Sequence, residues 1–71
     1  MDKLEAIAHN ERVIRNVMTA LIKNRLVDPV RLIIDRDYAI EHVKTYIQAA
    51  NITREMLHIP VLYLIDINEI D

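Results

Sequence analysis

Glycine, serine and cysteine are absent from this chain, and so are tryptophan and phenylalanine. Without cysteine there is no disulfide, no thiolate metal site and no thiol catalysis. Without glycine or serine there is no glycine-rich phosphate loop and no serine nucleophile. No residue enters a left-handed helix end without strain, so the helix ends are expected to use Asn24 or Asn51. Prolines are two, Pro29 and Pro60, and histidines three, which leaves little scope for a structural zinc.

Long apolar runs are missing as well. The longest, Ile59 to Ile65, is far too short to span a bilayer, and Met1-Asp2-Lys3-Leu4-Glu5 has no basic region leading into an apolar stretch. A cytoplasmic protein with no membrane partner is the expectation.

What is present is apolar residue in excess. The hydrophobic fraction is 52% of 71 residues. A single small domain of this size, residues 1–71, buries only roughly 60% of its unfolded surface, so its core is marginal without a staple. With disulfides excluded, self-association is the staple that remains.

The first hard break is Asn24-Arg25-Leu26-Val27-Asp28-Pro29-Val30. Asp28 reads as an N-cap and Pro29 as the first helical residue, where a missing N–H costs nothing. Before the break, Leu4, Glu11, Met18 and Arg25 share one heptad position and Ile7, Ile14 and Leu21 the other. Ala6, Val13, Val17 and Ala20 widen that stripe on one side, Ala8 and Ile22 on the other. A helix so broadly apolar needs more than one neighbour.

After the break, Ile33, Ile40 and Ile47 repeat at seven, with Val30, Asp37 and Lys44 as companions. The spacing predicts a second helix over 29–50, folded antiparallel on the first, with Met18 near Asp37 and Glu11 near Lys44. Thr53 would cap a short third helix ending near His58, and Pro60 blocks its continuation. Val61 to Ile67 then reads as an extended, strand-like segment that must lie in a groove of the hairpin, pair across protomers or bind something. Asn68 to Asp71 is expected to fray. The fold class is therefore mainly α, an antiparallel helical hairpin with a short third helix and an extended apolar C-terminal segment. The alternative is α+β, with strands at about 30–34 and 61–67 and Asp35 or Asp37 capping a shorter helix that ends near Ala50.

Charge is uneven along the chain. Positions 12–36 carry Arg12, Arg15, Lys23, Arg25, Arg31 and Arg36 against Asp28 and Asp35, a balance of +4, while positions 37–71 balance at −4. The bases near the turn are a minimal footprint for phosphate contact, although no recognition-helix pattern accompanies them. Tyr38, His42 and Tyr46 form an i, i+4, i+8 stripe that suits packing more than ligand stacking. Asp37, Glu41 and His42 are the densest set of metal-type ligands, with His42 pointing away from the carboxylates. His9 reads as a solvated surface residue, and His58 as a helix-end residue favoured by the dipole.

No histidine has an orienting partner at a readable spacing, and neither catalytic nor metal nor cofactor residues can be assigned. The expected function is that of a non-enzymatic interaction or regulatory module, a small adaptor or inhibitor acting as a homodimer or larger homo-oligomer. Its partners would be itself and another protein. The alternative is a nucleic-acid binder using the bases of positions 12–36. Candidate interaction residues are Arg12, Arg15, Lys23, Arg25, Arg31, Tyr38, His42, Tyr46, Leu62 and Tyr63.

Overall fold

The computed structural model describes residues 1–70, and its regular elements are all helical. Helix α1 spans Lys3–Lys23, α2 spans Pro29–Ile34 and α3 spans Arg36–Met56, with one 3-10 turn at Ile67–Glu69. The two long helices pack against each other as a hairpin, α2 packs on α3, and the 3-10 turn packs on α1. There is no strand among the described residues.

Each start has a side-chain cap. Asp2 accepts from the Glu5 amide at 2.8 Å and opens α1. Asp28 accepts from the amides of Val30 and Arg31 at 3.0 and 3.4 Å and opens α2, with Pro29 at the first helical position. The predicted break therefore holds, and residues 30–34 are helix rather than strand.

The second helix is not continuous over 29–50. Asp35 is extended (φ −111, ψ 101), closing α2 and opening α3 by accepting from the Tyr38 amide at 3.1 Å. Aspartate favours this interruption because its short carboxylate competes for backbone N–H groups. The expected break near Asn51 does not occur: α3 runs through Asn51, Ile52 and Thr53 to Met56. The short helix of the fold is thus α2, and Thr53 caps nothing.

The ends of both long helices correct a second expectation. At α1, the Leu26 amide donates to the Leu21 carbonyl and the Arg25 amide to that of Ile22. At α3, the Ile59 amide donates to Arg54 and the His58 amide to Glu55. This paired pattern is the Schellman end, which requires a left-handed residue. Here it is Arg25 (φ 57) and His58 (φ 56), neither of them an asparagine. Asn24 stands one position earlier as the C-cap, and Asn51 lies within α3.

Val17, Leu21 and Val43 form the buried centre, with Val13, Ile14, Met18, Val27, Tyr46, Ile47 and Leu62 packed around it. Leu32 anchors α2, and Ala6 is fully buried on α1, against which the 3-10 turn packs. The backbone fills a slab of 36 × 32 × 15 Å, one dimension far thinner than the others. A single layer of helices has little interior. Leu4, Ile33, Ile34 and Met56 are accordingly three-quarters or more exposed, at 78%, 77%, 76% and 75%.

Candidate functional site

The C-terminal segment lies on its own hairpin, as one of the three expected placements had it, and the hairpin supplies side chains in place of a strand partner. Asn51 donates from Nδ2 to the Leu62 carbonyl at 2.7 Å, and its Oδ1 accepts from the Leu62 amide at 2.7 Å. Asn10, on α1, repeats the arrangement on Ile65, at 2.9 and 2.8 Å. Each asparagine thus satisfies both backbone groups of one residue, as an antiparallel ladder partner would. Between them His9 donates from Nε2 to the Tyr63 carbonyl at 3.0 Å and stacks on the Tyr63 ring, centroids 4.5 Å apart. Arg54 donates to the Pro60 carbonyl at 2.9 Å. His9 is therefore half-buried and structural, not a solvated surface residue.

The chain ends in order as far as it is described. Asp66 accepts from the Asn68 amide at 3.0 Å and caps the 3-10 turn, so Asn68 to Ile70 are held; Asp71 lies outside the described residues.

The seated segment borders two depressions. One, of about 220 Å³, is lined by His9, Arg12, Asn16, Tyr46, Arg54 and Leu62, over Val13 and Val17. No carboxylate among the described residues lines it. The other, of about 130 Å³, is wholly apolar in surface and lies between Ile14 and Met18 of α1, Ile40 and Val43 of α3, and Leu64. A shallower groove of about 370 Å³ continues from Ile14 and Met18 along α1, flanked by Glu11, Arg15, Thr19 and Ile22. With the exposed Leu4, Ile7 and Ile22, the half-buried Ile14 and Met18 form an apolar stripe on α1, interrupted by Glu11 and edged by Arg15 and Thr19.

The aromatic stripe divides. Tyr46 packs at the core and walls the 220 Å³ cleft. Tyr38 and His42 instead hold the α2 end of the molecule. The Asp28 amide donates to the Tyr38 hydroxyl at 3.1 Å, and the Arg31 guanidinium lies 4.3 Å over the Tyr38 ring. His42 donates from Nδ1 to the Tyr38 carbonyl at 2.8 Å, its ring 4.1 Å from that of Tyr38. Arg31 also pairs with Asp35 at 3.3 Å. That guanidinium, and before it the Tyr38 amide, hold the Asp35 carboxyl below the usual aspartate range.

The ten candidate residues therefore do not make one site. Arg12, Tyr46 and Leu62 come together at the cleft; Arg31, Tyr38 and His42 come together at α2; Tyr63 joins His9. Arg15 lines the α1 groove instead. Lys23 sits exposed in the last turn of α1, and Arg25 shapes the turn through its backbone. The Glu11–Lys44 pair does not form, Arg31–Asp35 being the one ion pair among the described residues. Met18 faces Ala39 to Lys44 rather than Asp37, because the break at Asp35 moves the register.

Sequence reasoning passed over Asn10 and Arg54 and assigned Asn51 to a helix end rather than to the C-terminal segment. An asparagine inside a helical run is a poor helix former whose amide seeks backbone, and that was the signal available. Among the described residues, no three of histidine, aspartate and glutamate converge as metal ligands, and no helix is long and apolar enough to cross a membrane. No family model, curated protein or solved structure matches the chain.

Proposed function

We propose that this protein is a non-enzymatic interaction module that works as a homo-oligomer, assembled through the uncovered face of α1. The observation that carries the reading is how little the folded chain hides. Among the described residues five apolar side chains are buried, Ala6, Val17, Leu21, Leu32 and Val43, while Leu4, Ile7 and Ile22 remain exposed along one helix beside the groove at Ile14 and Met18. Contiguous apolar surface of this kind marks an association site.

The occupant best suited to this face is a second copy. Glu11 interrupts the apolar row and Arg15 stands beside it on the same groove. Set antiparallel on a two-fold axis, Glu11 meets the partner subunit's Arg15, and the reverse pair forms by symmetry, as an isologous contact requires. Leu4 then faces the partner subunit's Ile22. The exposed Leu26, Val30, Ile33 and Ile34 at the turn would remain for another protein to engage.

Sedimentation of wild type, Glu11→Arg, Arg15→Glu and the double swap tests the reading. The expected result is a dimer that weakens in each single variant, by about threefold or more, and recovers in the double. A wild-type monomer throughout the micromolar range would remove the proposal, and equal assembly by all four proteins would remove this face.

A further inference from the structure

The 220 Å³ cleft lies on the opposite flank of α1 from the association face, since His9, Arg12 and Asn16 share one side of the helix while Ile7, Ile14 and Met18 share the other. It is lined by two arginines from different helices, Arg12 from α1 and Arg54 from α3. Neither has a carboxylate within salt-bridge distance among the described residues. That is unusual in a chain whose net charge is −2, where acids outnumber bases.

The fold itself uses only part of these groups. Arg54 gives one N–H to the Pro60 carbonyl, which fixes its position and leaves the rest of its fork uncommitted. Pre-positioning of that kind lowers the ordering cost of binding. His9 gives its Nε2–H to the Tyr63 carbonyl and is committed to the fold. Arg12 and Asn16 are exposed and make no side-chain hydrogen bond to the described residues, so their donors are available. Beneath them Val13, Val17, Leu62 and the Tyr46 ring supply an apolar floor.

We infer that this cleft binds a phosphate monoester that carries a compact apolar body. The two guanidiniums match a doubly charged oxyanion, which accepts forked hydrogen bonds from arginine better than from any other side chain. The apolar floor of Val13, Val17, Leu62 and the Tyr46 ring argues for the attached body, since a bare phosphate would leave it in contact with solvent. The phosphate would sit between Arg12 and Arg54 at the mouth, with the apolar part against Tyr46 and Leu62.

The test is titration of the full chain, followed by NMR, with phenyl phosphate, inorganic phosphate and a short single-stranded oligonucleotide. The expected result is saturable shifts at His9, Asn16 and Tyr46 with phenyl phosphate, at least tenfold weaker binding of inorganic phosphate, and at least tenfold weaker binding of phenyl phosphate by Arg12→Gln. Arg12 holds nothing in the fold, so this variant should melt as wild type does. Arg54→Lys, which keeps the charge but loses the fork, should also weaken binding. Absence of saturable shifts, or unchanged affinity in Arg12→Gln, would overturn the inference. So would equal binding of all three probes that falls alike in Arg12→Gln and Lys23→Gln, because that behaviour belongs to diffuse surface charge. Tight binding of the oligonucleotide alone would replace a small phosphate monoester with nucleic acid and equally overturn it.

Discussion

Asn51, in the C-terminal half of α3, exchanges two hydrogen bonds of 2.7 Å with the backbone of Leu62, eleven residues further along the chain. The pair substitutes one side-chain amide for a missing β-strand. It explains how an apolar segment of extended backbone stays on a helical protein with no sheet to join. The Schellman end at His58 reverses the chain, Pro60 keeps it extended, and Asn51, His9 and Asn10 receive it in turn.

Asn51→Ala removes both partners of Leu62 at once. Leaving a part-buried amide and carbonyl unpaired costs about 1–3 kcal/mol, so the substitution should lower stability by that amount in urea unfolding. Asn51→Asp keeps an acceptor for the Leu62 amide but, when ionised, faces the carbonyl without a donor. Its deficit should shrink as the carboxyl protonates in acid. A loss in Asn51→Ala no greater than that of an exposed alanine substitution would show the pair to be unimportant.

Arg25 and His58 occupy left-handed backbone that disfavours every side chain with a Cβ, by about 1–2 kcal/mol. Glycine relieves this strain but loses more chain entropy on folding. Arg25→Gly and His58→Gly should therefore each stabilise by about 0.5–1 kcal/mol, read as a higher urea midpoint with an unchanged slope. A lower midpoint would mean that the side chain contributes more than the strain removes.

The acid limb of stability should carry a contribution from Asp35. The Tyr38 amide first, then Arg31, holds its folded-state carboxyl below the unfolded aspartate range. A depressed carboxyl adds stability that is complete above the unfolded value and is lost as pH falls through the folded one. Asp35→Asn can still cap α3 but cannot titrate, so its melting temperature should fall less steeply with acid than that of wild type. The difference should be small, since water screens an exposed carboxylate. Parallel curves for the two proteins would contradict the assignment.

Much of the hairpin was legible in residue order. Asp28-Pro29 specifies a helix start by local chemistry alone, and Ile40 and Ile47 fall seven apart within α3, whereas Ile33, which continues that spacing, lies on α2 across the break at Asp35 and is exposed. Asp35 was harder, because an aspartate on a solvated helix face and an aspartate that ends one helix and begins the next look alike in sequence. Asn51 misled in the opposite direction. Its amide suggested a helix end, whereas the folded chain brings Leu62 beside it and the helix continues. The cleft was out of reach for the same reason: Arg12 and Arg54 stand 42 positions apart in the sequence and meet only through the pairing of α1 with α3.

The C-terminal segment is held by its own hairpin, which leaves Leu4, Ile7 and Ile22 of α1 exposed. Hydrogen exchange at the Leu62 and Ile65 amides, measured over a range of protein concentrations, addresses this. Both amides should be protected well beyond free-peptide rates, with the same protection at the lowest and the highest protein concentration. Exchange at free-peptide rates, or protection that appears only on assembly, would contradict the account by placing the segment in solvent or on a neighbouring copy.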